Sequence, residues 1–289
     1  MDGGATILAD LPQFDLGEFV RRVLAEDLGA GGDVTSKATI DSGARFTAEM
    51  NCREPIVVAG LEIAIAFFRA CDPHVGLERL GKDGDAVTAG TLLLRLEGNA
   101  RAMLAAERSA LNTLQHLSGI ATMTRRYVDA IEGTGATLLD TRKTIPGLRL
   151  LEKYAARMGG ATNHRMRLDD GLLIKDNHVG VAGGVAEAVR AAKHYGSGLP
   201  IQVEVDRIEQ IEPALAAGAD RLLLDNMNPD MLRQAVELVA ARVPLEASGG
   251  VNLETIRAIA ETGVDYISVG RITQSAPAVD IGLDYVLNG

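Results

Sequence analysis

The sequence has little cysteine, no excess of positive charge and no long apolar run, and each shortage removes a class of function. Its two cysteines, Cys52 and Cys71, stand in no CxxC pattern. They read as reduced thiols of a cytoplasmic protein, not as a disulfide framework or a zinc site. A formal net charge of −10 argues against electrostatic binding to nucleic acid, which needs a basic surface. The longest apolar stretch, residues 56 to 68, is interrupted by Glu62 and is too short to cross a bilayer. The acidic N-terminus lacks a basic segment followed by an apolar one, so no secretory signal is expected. Metal-binding spacing of the HExxH type and low-complexity segments are also missing.

What is present is size and a local concentration of charge. The 289 residues suffice for one barrel-sized domain, a smaller one and a well-buried core. Between Asp140 and His178, eight Lys or Arg residues face five Asp or Glu, a net charge of +3, so the remainder of the chain carries −13. An acidic chain that gathers its cations in one stretch is built to hold a small, highly anionic ligand there.

From about Pro200 onward, short apolar runs alternate with amphipathic helices. The runs are Ile201–Asp206, Arg221–Asp225, Pro244–Ser248 and Tyr266–Gly270, and Thr137–Asp140 and Leu172–Asp176 fit the same description. Helices are predicted over Ile208–Ala217, Pro229–Ala241 and Leu253–Thr262. Asn228 and Asn252 sit at N-caps, and Gly218 and Gly263 at left-handed terminators. Nearly continuous apolar strands between helices imply a parallel sheet buried on both faces, here an α/β barrel with six clear strands. The first hundred residues differ. Strands over Phe46–Met50, Ile56–Ala59, Ala86–Val87 and Leu92–Leu96 and a helix over Leu61–Ala70 make an α+β, sandwich-like segment. A long helical region from about Ala100 to Ile131 leads into the barrel.

The polar residues Asp140, Lys175, Glu204, Asp206, Asp225 and Ser248 fall at or near the C-terminal ends of strands, the rim where α/β barrels place their chemistry. Glu204 and Asp206, two apart, are expected on one face. Arg142 and Lys143 follow a strand end and offer a planar fork and a point charge to a carboxylate or phosphate, the bland reading being a surface ion pair with Asp140. A helix is predicted from Pro146 to Gly160, with Arg149, Lys153 and Arg157 on one stripe. A solvated face or a subunit contact accounts for that stripe better than ligand contact does. His164–Arg165 pairs a titratable donor with a fixed cation, while His74 and His194 read as structural. Lys175 is either a substrate-binding cation or a Schiff-base nucleophile. Glu204, Asp206 and Asp225 suit Mg²⁺ or sugar hydroxyls, with pairing to Lys175 or Arg142 as the structural reading. Ser248-Gly249-Gly250 and Gly270 follow the last two strands, where exposed backbone N–H groups commonly hold a phosphate.

Taken together, these residues resemble the quinolinate phosphoribosyltransferases, the carboxylating nicotinate-nucleotide pyrophosphorylases of de novo NAD synthesis. The resemblance covers nearly the whole chain. It rests on Glu26-Asp27-Leu28-Gly29 with Gly32-Asp33-Val34-Thr35-Ser36, on Glu107-Arg108 with Leu111-Asn112, and on His116–Thr122. It continues through Asp140–Thr144, Pro146-Gly147-Leu148-Arg149, Asn163-His164-Arg165, Leu173–Val179, Val203-Glu204-Val205, Leu224-Asp225-Asn226 and Ser248–Val251. It implies an incomplete, seven-stranded α/β barrel of the type II phosphoribosyltransferase kind over residues 116–274. It also implies an N-terminal α+β domain over residues 1–115, towards which residues 275–289 pack back, and a cytoplasmic homodimer with shared active sites.

By the same resemblance, Arg108, Arg142, His164, Arg165 and Lys175 would hold the quinolinate carboxylates, with Arg108 donated across the dimer. Thr141 would contact substrate, and Lys143 would reach the pyrophosphate of phosphoribosyl pyrophosphate (PRPP). Glu204 and Asp225 would face the ribose hydroxyls and Mg²⁺. Ser248, Gly249, Gly250 and Gly270 would cradle the 5′-phosphate, and Lys143, Lys175, Glu204 and Asp225 would carry the catalysis. A small residue is expected after Gly270, where this chain has Arg271. No enzyme nucleophile is needed for this chemistry, which fits the absence of a recognisable triad. Three alternatives stay open on the sequence: a molybdenum-transport-associated paralogue using another acceptor, a Schiff-base aldolase acting through Lys175, and a non-catalytic anion-binding protein.

Overall fold

The computed structural model describes residue 11 and residues 13–286, and the chain forms two compact units. The first takes the chain as far as Met123, then Leu150–Gly159, then the chain from Ala276; the second takes Thr124–Arg149 and Gly160–Ser275.

In the first unit, α1 (Leu16–Leu28) and α2 (Val34–Thr39) are capped by Asp15 and Asp33, whose carboxylates accept the N–H groups of Glu18 and Ser36 at 2.8 and 3.0 Å. Then come β1 (Arg45–Cys52), β2 (Ile56–Val57), α3 (Leu61–Cys71), β3 (Gly76–Arg79), β4 (Ala86–Val87) and β5 (Leu92–Asn99). Alternation along β1 sends Ala48, Met50 and Cys52 into the core. Helix α3 is apolar almost all round and begins without a cap of its own. Asp83, in the turn before β4, supplies one by accepting from Gly60 N (2.8 Å) and Leu61 N (3.0 Å), and it is held there by Tyr154 Oη at 2.6 Å. The long α4 (Ala100–Ala130) buries Met103, Ala106, Ala110, Leu114 and Leu117, one stripe at helical spacing.

The second unit is an incomplete α/β barrel. Its strands are β6 (Thr137–Leu139), β7 (Leu172–Ile174), β8 (Ile201–Val205), β9 (Arg221–Asp225), β10 (Leu245–Ser248) and β11 (Tyr266–Ser268), all paired in parallel in the order β6-β11-β10-β9-β8-β7. On the free side of β6 the seventh position shrinks to one parallel bridge. Thr162 N donates to Leu138 O at 2.9 Å, and Thr162 O accepts from Asp140 N at 3.2 Å. Among the described residues nothing pairs Thr162 with β7 across the remaining gap. In chain order α5 (Arg149–Met158) follows β6 but belongs, from Leu150 on, to the first unit; the helices of the second unit are α6 (Asp176–Ala182), α7 (Val185–Tyr195), α8 (Ile211–Ala217), α9 (Pro229–Val239), α10 (Ile256–Ala260) and the single turn α11 (Arg271–Gln274). Asn228 caps α9 as its sequence indicates, accepting from Asp230 N and Met231 N, both at 3.0 Å. Gly218 ends α8 with φ +92°.

Two expectations change. The helix expected from Pro146 starts only at Arg149, because Gly147 turns the backbone at φ +84°. Its cationic stripe is not a solvated face either: Lys153 is fully buried beside buried Glu152, and Glu152 meets His116 Nε2 at 2.9 Å. Arg157 stacks on Tyr154, 5.7 Å from the ring centre, and Arg149 donates to Thr144 Oγ1 (3.1 Å) and Met166 O (3.3 Å).

The last strand, β12 (Ile281–Val286), returns to the first unit and extends its antiparallel sheet to the order β12-β1-β5-β3. Gln115 of α4 ties down the approach: its carbonyl accepts from Val279 N (3.2 Å), and its side-chain amide donates to Ile281 O (2.8 Å). Gly119, one turn on, is there because a Cβ would fall on Pro277 O. Gly119→Ala is therefore expected to destabilise the fold by about 1–3 kcal/mol through overpacking. Gly180→Ala, within α6 and with nothing within 4 Å of its Cβ, should be neutral or stabilising by up to about 1 kcal/mol. Urea denaturation of the two variants beside the parent checks the contrast.

Candidate active site

The C-terminal ends of the parallel strands enclose a cavity of about 820 Å³ that lies wholly within the second unit. Parallel pairing brings the strand ends level, Ser248 opposite Asp225 and Glu204 opposite Leu223, so residues distant in sequence share one rim. Of the residues singled out from the sequence, Thr141, Arg142, Lys143, His164, Arg165, Lys175, Glu204, Asp225, Ser248, Gly249, Gly250 and Gly270 all line it. Arg108 does not; it is exposed on α4 in the first unit. Asp206 does not either. Strand β8 ends at Val205, and Asp206 lies in the following bend, exposed, with Oδ1 3.4 Å from Arg207 Nε.

One wall is cationic. Arg142 buries its Nε without a hydrogen-bond partner. Arg165 donates from Nη1 to Gly171 O at 2.8 Å, and its guanidinium is held below the usual arginine range, first by burial and then by repulsion from Arg142. Asp140 is not a surface residue. It is fully buried at the end of β6 and accepts from Asn163 Nδ2 (2.6 Å) and His164 N (2.8 Å), which fixes the loop that carries these cations. His164 Nδ1 accepts the N–H of Arg165 at 2.8 Å. Its Nε2 therefore carries the proton and faces Glu246 Oε2 across 3.4 Å.

The opposite wall is acidic. Lys175 Nζ donates to Glu204 Oε2 at 3.0 Å. The Asp225 carboxyl is pushed up by burial and then by the Glu204 charge, against the opposing pull of Lys175 and of the Asn226 amide, which donates to it at 2.6 Å. At the glycine-rich end, Gly249 has φ +94° and Gly250 φ +63°, both left-handed. Gly270 precedes α11, and a Cβ there would lie 2.7 Å from Lys143 Cδ. Thr273 Oγ1 donates to Lys143 O at 2.7 Å, which binds this turn to the strand that supplies Lys143.

A cavity with five cations, three carboxylates and a glycine-lined end suits a ligand with several negative charges and a hydroxylated middle. Comparison with known proteins agrees. Residues 120–284 match the family model "Quinolinate phosphoribosyl transferase, C-terminal domain", and residues 33–118 match "Quinolinate phosphoribosyl transferase, N-terminal domain". The chain is 45% identical over 271 residues to the nicotinate-nucleotide pyrophosphorylase [carboxylating] of Mycobacterium leprae, covering 92% of this chain and 95% of that one. The chain belongs to the quinolinate phosphoribosyltransferase family. Among solved structures, the nicotinate-nucleotide pyrophosphorylase from Francisella tularensis superposes with a TM-score of 0.90 at 42% identity, covering 94% of this chain and 96% of that one. The one from Ehrlichia chaffeensis gives 0.91 at 40% identity, covering 95% and 100%.

In this member of the quinolinate phosphoribosyltransferase family the cavity also contains residues given no site role from the sequence: Glu246, Ser268 and Gln274, with Asn226, seen only as part of a motif, and Asn252, seen only as a cap. Glu246 and Ser268 sit inside apolar strands, where the period-2 pattern marks a core position and hides a polar one. Arg271, in place of the small residue expected after Gly270, lines the cavity and is exposed.

The upward shift at Asp225 has a consequence for stability. The folded chain holds this proton more tightly than the unfolded chain, so the contribution is complete at low pH and is lost as pH rises from about 4 through the raised value. Ligand-free Asp225→Asn should therefore resist urea better than the parent at pH 7. The advantage should shrink as pH falls towards 4, which denaturation midpoints across that range will measure.

Proposed function

We propose that the chain transfers the phosphoribosyl group of PRPP to the ring nitrogen of quinolinate, with loss of the 2-carboxylate, giving nicotinate mononucleotide, pyrophosphate and CO₂. One observation carries the reading: a cavity lined both by two guanidinium groups, Arg165 disfavoured by the charge of Arg142 and Arg142 with an unpartnered buried Nε, and by a carboxylate pair. A dicarboxylate answers the first wall and a sugar losing pyrophosphate answers the second.

In this reading Arg142, His164, Arg165 and Lys175 make up the dicarboxylate subsite, and Arg108 completes it from the partner subunit of a homodimer. Thr141 and Lys143 meet the pyrophosphate, and Ser248, Gly249, Gly250 and Gly270 hold the 5′-phosphate through backbone N–H groups. Positive charge develops on the sugar as the ring nitrogen attacks C1′ and pyrophosphate departs. Glu204 and Asp225 favour that charge, while Lys143 favours the charge on the leaving group. The quaternised ring then accepts the electrons released with CO₂, and a proton takes the carboxylate's place at carbon 2.

Mg²⁺ fits the acidic wall. Its hard oxygens, and the mutual strain between Asp225 and Glu204, suit a divalent cation. Among the described residues no group of three His, Cys, Asp or Glu could enclose a metal, so the ion would arrive mainly with PRPP and water. When bound it supplies neutralising charge at the pyrophosphate. No described helix is long and apolar enough to cross a membrane. Cytoplasmic location is part of the proposal, although some plant relatives are named as chloroplastic or mitochondrial.

Two measurements test the reading. Purified protein given quinolinate, PRPP and Mg²⁺ should release CO₂ and form nicotinate mononucleotide in equal amounts; turnover of nicotinate but not of quinolinate would overturn it. Arg142→Ala should lower kcat/KM by roughly 10- to 100-fold or more while shifting the urea midpoint little. Equal losses of activity and stability would mark Arg142 as structural.

A further inference from the structure

Glu246 belongs to neither wall. It lies on β10 in the floor of the cavity, fully buried. Gln202 Nε2, from β8 two strands away, donates to its Oε2 at 2.8 Å, and Arg221 Nη1 of the intervening β9 approaches the same oxygen at 4.0 Å. Oε1 makes no hydrogen bond. Burial pushes this carboxyl up, but His164, Gln202 and Ser268 together more than offset it, so the group stays ionised at neutral pH. A fully buried charge with one oxygen unpartnered departs from ordinary core packing, and such departures gather at functional sites.

Its connection to the cation wall runs through one side chain. His164 could in principle offer two ring nitrogens to a substrate carboxylate, but both are engaged: Nδ1 with the N–H of Arg165, Nε2 with Glu246. The imidazole thus joins the barrel floor to the backbone of the residue that carries a substrate-facing guanidinium. Asp140 holds the same segment from the other side by accepting from His164 N.

We propose that Glu246 is a positioning residue which, by orienting His164, fixes Arg165 for the substrate's carboxylate and so sets affinity for quinolinate but not for PRPP. The inference rests on the dicarboxylate reading of the cavity given above. A merely structural carboxylate would lower stability and affect both substrates alike. A positioning one acts on a single subsite, and only while His164 is there to transmit the effect.

Calorimetric titration of quinolinate, and separately of PRPP with Mg²⁺, into the parent and a set of variants tests this. Glu246→Ala is expected to weaken quinolinate about tenfold or more and to leave PRPP within about twofold, the effect of removing one hydrogen-bonded charge from a subsite. Glu246→Gln, which still accepts from His164, should restore quinolinate binding to within about threefold of the parent. The double variant with His164→Ala should bind quinolinate no more weakly than His164→Ala alone. Should Glu246→Ala fail to fold, Glu246→Asp, which withdraws the carboxylate by one methylene, takes its place with the same selective loss expected.

Equal weakening of both substrates, no weakening of either, failure of Glu246→Gln to rescue, or losses that multiply in the double variant would each overturn the proposal. A parent protein that binds and turns over quinolinate while the variants fail these expectations overturns this inference alone. A parent that binds no quinolinate overturns the assigned activity with it.

Discussion

Arg142 and Arg165 occupy one cavity although each disfavours the charge of the other, and much of the surrounding structure serves to keep them there. Two guanidinium groups left to themselves in water would separate. Here they ride on short segments anchored from beneath. Strand β6 delivers Arg142 just past its end. The Thr162 bridge beside it delivers His164 and Arg165. Asp140, buried between these segments, binds the second through two donors and is itself fixed by its strand. Repulsion that the fold maintains in the absence of ligand is relieved when an anion arrives, so the tension favours binding over collapse of the site.

The acidic wall follows the same logic with the sign reversed. Glu204 and Asp225 come from neighbouring strands and would repel without help. Lys175 moderates them, bonding Glu204 directly and drawing Asp225 downward through charge alone.

The sequence made much of this legible because parallel strands carry two signals at once. The apolar runs ending in Asp140, Glu204, Asp225 and Ser248 mark both a buried strand and the rim residue that follows it. Where the signals part, reading fails. Strand β3 has one half-buried residue among exposed ones and is defined by its pairing with β5, which no local pattern reveals. Asp206 obeys the two-residue period, yet the strand stops one residue short of it. Lys153 reads as surface because its charge spacing is that of a helix stripe; its burial is a tertiary fact. Glu246 fails in the opposite sense, a carboxylate at an interior strand position that reads as core and lines the cavity floor.

The glycine-rich end shows why a tripeptide that is weak alone becomes specific in place. A Cβ at position 249 would collide with the Asn226 side-chain carbonyl and lie 2.8 Å from the Asn226 backbone nitrogen. Asn226 itself adopts φ +56°, a left-handed conformation that asparagine tolerates better than most residues. It is locked there by its N–H to Ser248 O at 2.9 Å. With its amide in the space that the glycine leaves, Asn226 donates to Asp225. The missing side chain at Gly249 therefore does two things. It leaves the backbone at this end of the cavity uncovered by a side chain, and it makes room for the amide that orients a carboxylate on the next strand. Asp225-Asn226 and Ser248-Gly249 are thus one device split between two strand ends. Each half is constrained by the other, which is why the pair carries information that neither motif holds by itself.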